Sequence, residues 1–249
     1  MKLAVVSDIH GNLAALRAVL EDIAGQGVDQ TVNLGDILSG PLHPGETADL
    51  LVPLGLPTIR GNHERQLLSH RPEAMGASDR FAHGRLSGAH IAWIRDLPPE
   101  MDLGGEILLV HGAPGNDLQY LMETVDEAGL RPARPEEIAD RLDGVSQAIV
   151  LCGHTHIPRC VRLPDGRRVI NPGSVGLQAY YDIHPVPHVV QTGSPEARYA
   201  IIERKGSDDW SVDLRKVRYD HGAAADLARR NGRRDWAAAL HTGTLQAPR

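Results

Sequence analysis

The sequence predicts an α/β layered fold, with two β-sheets packed together and helices outside. Three observations predict it. Short apolar, β-branched runs alternate with helical spacings over roughly the first 150 residues, the order expected of βαβ units. Each of these strands ends in a polar cluster of Gly, Asp, Asn and His. From residue 159 onward the helices give way to strands in series.

The elements follow in order. Residues 2–7 alternate little and read as a buried strand. Leu13, Leu16, Leu20 and Ile23 then recur at helical spacing, with Asn12 as the N-cap. Residues 31–34 are a second strand, 46–54 a helix, and Thr58-Ile59 opens a third strand before Gly61. Residues 63–96 are polar and helical in pieces. Residues 107–110 form a strand, 136–142 a helix after Pro132 and Pro135, and 148–152 another buried strand. Residues 159–163 and 167–170 flank Pro164-Asp165-Gly166 as a hairpin. Residues 199–203 and 210–217 are strands around Gly206-Ser207-Asp208-Asp209, and 223–240, rich in Ala and Arg, is helical. No linker or repeat divides the chain. A single domain over 1–249 is expected, with a helical tail from about residue 220 packed on it.

Composition bounds the function. The 249 residues are 41% hydrophobic and 23% charged, which excludes a disordered or collagen-like chain. Aromatics are only 4%, with one Phe, so aliphatic residues must build the core. No run approaches the roughly 20 apolar residues of a membrane span, and the first apolar run is too short for a signal peptide. Cys152 and Cys160 cannot form a disulfide framework, and a cytoplasmic protein is the expectation. Net charge is −6, unevenly spread. Residues 1–197 carry 15 basic against 25 acidic groups, a net −10, and residues 198–249 carry 11 against 7, a net +4. An acidic body argues against a nucleic-acid partner, which wants a basic face, and suits a protein that holds cations.

The motifs say which cations. Strand ends carry Asp8-Ile9-His10, Gly35-Asp36, Gly61-Asn62-His63-Glu64, His111-Gly112, Gly153-His154-Thr155-His156 and Asn171-Pro172-Gly173-Ser174. Ligands in open α/β folds collect at the carboxyl ends of strands, so these clusters can converge. Asp, His and Asn offer oxygen and nitrogen donors suited to Mn, Fe, Zn, Co or Ni. Asp8 and His10, like His154 and His156, lie two apart and are expected to face one way on an extended strand end. Asp-x-His alone is weak; the whole set in this order, each block after a strand, is specific.

In those blocks the chain resembles the calcineurin-like metallophosphoesterase superfamily, over residues 3 to about 176, and looks closest to its compact bacterial phosphodiesterases. The resemblance implies an αββα sandwich of two mixed β-sheets flanked by helices, with a two-metal centre on one edge. It implies that Asp8, His10, Asp36 and His156 bind one metal, and Asp36, Asn62, His111 and His154 the other, with Asp36 bridging. Two divalent transition-metal ions would hold a bridging hydroxide, Mn²⁺ being the first expectation and Fe, Zn, Ni or Co alternatives. His63 would be the general acid for the leaving group, and Asn62 and His63 would contact the phosphate. Glu64 either orients His63 or is a solvated helix-start residue. The Asp-Arg-Gly that the superfamily's protein phosphatases carry after Gly-Asp is replaced by Ile37-Leu38-Ser39-Gly40. The usual Asp partner of the catalytic His and a phosphate-gripping Arg are thus missing there, which argues against protein phosphatase and dinucleoside-polyphosphate hydrolase.

The function expected is a metal-dependent phosphoesterase acting on a small phosphodiester or phosphomonoester. A catalytically silent scaffold of the same fold and a nuclease are the alternatives. The first would show broken ligand positions and the second a basic track. A small phosphate ester is the expected partner, with no membrane, and a two-fold dimer is the commonest assembly. Residues 180–188 form a long loop with two Tyr and two Pro, expected to be a lid or substrate-contacting loop. Cys152 is expected in the core, and the Arg229-Arg230 and Arg233-Arg234 pairs on a solvated helix face.

Overall fold

The computed structural model describes residues 1–206 and 209–246. Ser207 and Asp208 of the expected turn, and the last three residues of the expected tail, lie outside the described residues. The first half of the chain runs β1 (Lys2–Val6), α1 (Leu13–Ala24), β2 (Gln30–Asn33), α2 (Pro44–Leu51), α3 (Asn62–Ser69), α4 (Ala77–His83), α5 (Gly88–Asp96), β3 (Met101–Leu103) and β4 (Ile107–Leu109). There follow β5 (Glu123–Asp126), β6 (Gly129–Pro132), α6 (Pro135–Arg141), β7 (Ile149–Leu151), β8 (Arg159–Arg162) and β9 (Arg168–Asn171). The chain ends with β10 (Ala179–Asp182), β11 (His188–Gln191), β12 (Ala197–Arg204), β13 (Trp210–Val217), α7 (His221–Arg230) and α8 (Arg234–Thr242).

Two mixed sheets stack with helices on both outer faces. One has the order β13-β12-β1-β2 and the other β3-β4-β7-β9-β8. Strand β1 explains the stacking. Its Leu3 and Val5 point into a core between the sheets with Val32, Ile107, Leu109, Ile149 and Ile170. Its Ala4 and Val6 point the other way, against Leu16, Val19 and Ile23 of α1. A strand buried on both faces has no reason to alternate apolar with polar, so its run is continuous. A third core joins the outer face of the second sheet, through Val110, Val150, Cys152 and Val169, to Ile138 and Leu142. These αββα layers are the architecture expected.

Helix α1 starts where Asn12 Oδ1 accepts the Ala15 backbone N–H at 3.2 Å. The apolar spacing then buries Ala15, Leu16, Val19 and Ile23 on one face. Strands β1 and β2 run parallel, as do β4, β7 and β9. Their carboxyl ends therefore lie at one edge of the sandwich, where the motif loops emerge.

The main departures from the sequence reading are four. Thr58-Ile59 makes only an isolated bridge to Asn33, because α3 begins three residues later. The β5–β6 hairpin falls in a stretch whose charged residues mask strand periodicity. The expected loop at 180–188 is the tip of a second hairpin, Tyr180 pairing with Val190 and Asp182 with His188. The tail breaks at Gly232, at φ 79°, into α7 and α8. Both helices sit on Ala179, Leu177 and Leu42 through Ala224, Ala225, Ala228, Trp236 and Leu240.

Candidate metal centre

Each strand end turns sharply, and the turn aims the side chain. Among the described residues, five non-glycine residues have positive φ: Asp8 (54°), His10 (52°), Asp36 (52°), His154 (67°) and His156 (59°). Left-handed backbone at a non-glycine residue costs on the order of 1–3 kcal/mol and persists only where its surroundings impose it. The expectation that Asp8 and His10 face one way because their strand is extended is therefore corrected. Strand β1 stops at Val6, and left-handed turns at Asp8 and His10, bonded to the Gly35-Ile37 backbone, bring the two together.

Glycines permit the close approach. A Cβ at Gly61 would collide with the Asp36 carboxylate, and one at Gly153 with Ser7 Oγ and Asp8 Oδ2. Glu64 does not orient His63, as one expectation had it. Its carboxylate is fully buried and accepts four backbone N–H groups, from Asp36 (2.9 Å), Ile37 (2.9 Å), Leu38 (3.2 Å) and Gly61 (3.0 Å). It clamps the Asp36 turn to the start of α3. The backbone N–H of His63 donates to Asp36 Oδ1 at 3.0 Å, and that of His154 to Asp8 Oδ2 at 3.2 Å.

The side chains converge in sets. One donor atom each of Asp8, His10 and His156 lie within 4.8 Å of one another, as do those of Asp36, His111 and His154, and of His10, Asp36 and His63. His111 Nε2 is 3.2 Å from Asp36 Oδ2 and 3.1 Å from Asn62 Oδ1. His156 Nε2 is 3.3 Å from Asp8 Oδ1. All seven residues predicted from the motifs are thus brought together, with His63 beside them.

The protons show what the cluster fits. Nδ1 of His10 faces the Ser39 carbonyl at 2.8 Å, Nδ1 of His111 the Leu34 carbonyl at 2.8 Å, and Nδ1 of His156 the Leu177 carbonyl at 2.7 Å. A carbonyl only accepts, so each Nδ1 carries a hydrogen and Nε2 is left to bind. Nε2 of His10 and Nε2 of His156 then face each other at 3.1 Å, buried, both with lone pairs. A cation between them satisfies both. His154 is reversed: its Nε2 donates to the Leu118 carbonyl at 3.2 Å, which frees Nδ1. Carboxylates, imidazoles and an amide oxygen are a donor set for divalent transition metals.

Electrostatics agree. Burial and the neighbouring His156 push His10 down to about 4, and burial and His111 push His154 to about 4, so both are neutral ligand-type imidazoles. Burial works against a charge on His111, yet Asp36 and Asp8 lift it to about 10. Against the pull of burial, His111 and His63 above all hold Asp36 well below the carboxylate range. The carboxylates here demand positive charge.

His63 is built differently. Its Nδ1 donates to Asp79 Oδ1 at 2.8 Å and its Nε2 turns toward Asp36 Oδ2 at 4.0 Å. Burial lowers it, but Asp36 and Asp79 outweigh that and raise it to about 9. Asp79 is the carboxylate partner missing after Gly35-Asp36. It comes from α4, buried at 2% exposure. Sixteen residues separate it from His63 and no motif surrounds it, so only the packing of α3 on α4 reveals it.

The centre opens into a cavity of about 910 Å³. Trp236 of α8 stands edge-on to His10 (centroids 5.8 Å), Tyr180 to His156 (4.8 Å) and Tyr120 to His154 (5.0 Å). The Tyr180 hydroxyl donates to the His154 carbonyl at 3.0 Å and lies 2.8 Å from the Tyr120 hydroxyl. His188, expected on a lid, is buried instead, with Nε2 3.1 Å from the Tyr120 hydroxyl. The second Arg pair is corrected in part. Arg233 lines the cavity, forked onto Asp235 (2.6 and 2.9 Å) with Nη1 on Ser78 Oγ (2.7 Å), while Arg234 is solvent-exposed as expected.

Residues 1–184 match the calcineurin-like phosphoesterase superfamily domain, and the chain belongs to that family. The crystal structure of a metallophosphoesterase from Sphaerobacter thermophilus superimposes with a TM-score of 0.76 at 26% identity, covering 98% of this chain and 100% of that one. An uncharacterised protein of Methanocaldococcus jannaschii is 24% identical over 258 residues, 94% of each chain. Among the described residues, no helix is long and apolar enough to cross a membrane.

Proposed function

We propose that the chain is a metal-dependent hydrolase of small phosphate esters, working with two divalent ions of which Mn²⁺ is the first choice. One observation carries the reading: the Asp8-His10-His156 and Asp36-His111-His154 groups lie side by side, with Asp36 Oδ2 4.0 Å from His10 Nε2, and a carboxylate-backed imidazole stands beside them. Asp8, His10, Asp36 and His156 would hold one ion, and Asp36, Asn62, His111 and His154 the other. Bound there, the ions supply Lewis-acid polarisation of a phosphoryl oxygen and a water acidic enough to attack near neutral pH.

The chain's own residues do the rest. Asp36 sits in the second group and reaches toward His10 of the first, so its carboxylate would join the two ion sites. The carbonyls of Ser39, Leu34 and Leu177 fix the imidazole tautomers in advance, so little reorganisation is needed. Asp79 holds a hydrogen on Nδ1 of His63, leaving Nε2 to present a proton to the departing oxygen. Asn62 sits beside His63 at the start of α3, and both would touch the phosphate. The acidic body supports a small ester over a nucleic acid.

The test is hydrolysis of bis-p-nitrophenyl phosphate and p-nitrophenyl phosphate by chelator-stripped protein, with and without Mn²⁺. Turnover that returns with the metal supports the reading, and the ratio of the two rates sets the diester preference. No turnover with any divalent ion would overturn it.

A further inference from the structure

Glu123 opens β5 and lines the cavity, yet the metal centre does not use it. It is 3% exposed, and neither carboxylate oxygen has a partner at full hydrogen-bonding distance among the described residues, although the Thr155 hydroxyl lies near enough to lower its pKa. Buried carboxylates are normally paired, because an unpaired one gives up its hydration for nothing. Partners stand close but are engaged elsewhere. Arg141 donates to the carbonyls of Leu121 (2.9 Å) and Glu123 itself (2.8 Å) and to Thr124 Oγ1 (2.7 Å). Arg159 donates to the carbonyls of Met122 and Ala133, and its Nη1 stays 3.8 Å from Glu123 Oε1, beyond bonding distance. The two guanidinium groups brace the backbone around Glu123 and leave its oxygens open.

We propose that Glu123 is a specificity residue that accepts a hydrogen bond from a hydroxyl or amine on the organic arm of the phosphate ester. The inference rests on the phosphoesterase reading of the same cavity. A phosphoryl group offers only acceptors and negative charge, so it cannot be what meets a carboxylate. The organic arm can. The carboxylate lies close to the Thr155 hydroxyl, and Thr155 stands between His154 and His156, so the acceptor sits beside the centre that would hold the phosphate. A cavity of about 910 Å³ leaves ample room for an arm. The ligand class is a phosphate ester of a polyol, nucleoside or amino alcohol. Burial drives Glu123 up to about 7 against the pull of Thr155 and the two arginines, and a hydrogen bond donated by the ligand would favour its ionised form.

The experiment uses the full chain loaded with Mn²⁺, with Glu123→Gln and Glu123→Leu. Three p-nitrophenyl diesters share one leaving group. Their other arm is a second nitrophenyl (no donor), a 5′-thymidylyl group (hydroxyl) or a 2-aminoethyl group (ammonium). Both variants are expected to lose about tenfold or more in kcat/KM on at least one donor-bearing diester, and less than about threefold on the nitrophenyl diester. Which diester responds distinguishes hydroxyl from amine. Calorimetric binding of adenosine 5′-monophosphate, 2-aminoethyl phosphate and phenyl phosphate gives a second readout, with the same donor-dependent loss expected. If no diester turns over but binding shows that pattern, the specificity role stands and the phosphoesterase reading falls. Equal losses on all ligands, no loss on any, no binding of either donor-bearing monophosphate, or a fall in melting temperature in both variants would overturn the proposal.

Discussion

The floor and the wall of the cavity are built from different kinds of sequence. The floor comes from short blocks at strand ends, where a glycine, a left-handed turn and a buried donor lie within a few residues of one another. The wall comes from Glu123 of β5, Tyr180 of a hairpin, and Arg233 and Trp236 at the start of α8, joined only by packing. In the floor the backbone fixes the side chain. In the wall the tertiary fold does.

Four perturbations would break or sharpen that contrast. The largest effect is expected in the floor. Asp36→Asn should lower Mn²⁺-dependent hydrolysis of bis-p-nitrophenyl phosphate by about a thousandfold or more, with less metal per chain by elemental analysis. Unchanged turnover would mean that the shared carboxylate is not shared. Glu64→Gln should cost about 2–4 kcal/mol in urea unfolding, because an amide N–H then faces backbone N–H groups that the carboxylate had satisfied.

The wall should answer in stability's pH dependence. Glu123 rises from 4.5 to about 7 on folding, so the folded chain binds its proton more tightly. Below pH 4.5 the group is neutral in both states and costs nothing extra. Between 4.5 and 7 the unfolded chain ionises first, and folding stability falls by about 3 kcal/mol, after which the loss is constant. Glu123→Gln should therefore match wild type at low pH and exceed it above pH 7, read from melting curves across the range. A parallel pair of curves would refute an unpaired carboxylate. The smallest effect is expected from Asp79→Asn, about ten- to a hundredfold in kcat with KM little changed. Alkyl esters should suffer more than p-nitrophenyl esters, whose leaving group needs no proton; equal losses would remove the proton-donor role from His63.

Much of the floor is legible in the sequence, since Gly-Asn-His-Glu and Gly-His-Thr-His hold their donors next to the glycines that position them. Layering was legible too, because β1 and β7 are apolar on both faces. What could not be read has a common cause. Asp79 and His63 meet through helix packing across 16 residues of sequence separation, and Arg233 meets Ser78 across 155. Glu64 sits inside a motif, yet its role was misread, because its partners are backbone N–H groups of a turn 26 to 28 residues earlier. The hairpin at β10–β11 was hidden by Pro185 and Pro187 at its tip.

The five left-handed residues of the floor set stability and chemistry against each other. Glycine would adopt each of these turns without strain, and would offer no donor atom. At Asp8 and Asp36 it would also strip the carboxylate from the backbone N–H groups of His154 and His63, so a relaxed turn would leave a buried donor unpaired. The strain persists because the side chains that cause it are bonded across the floor.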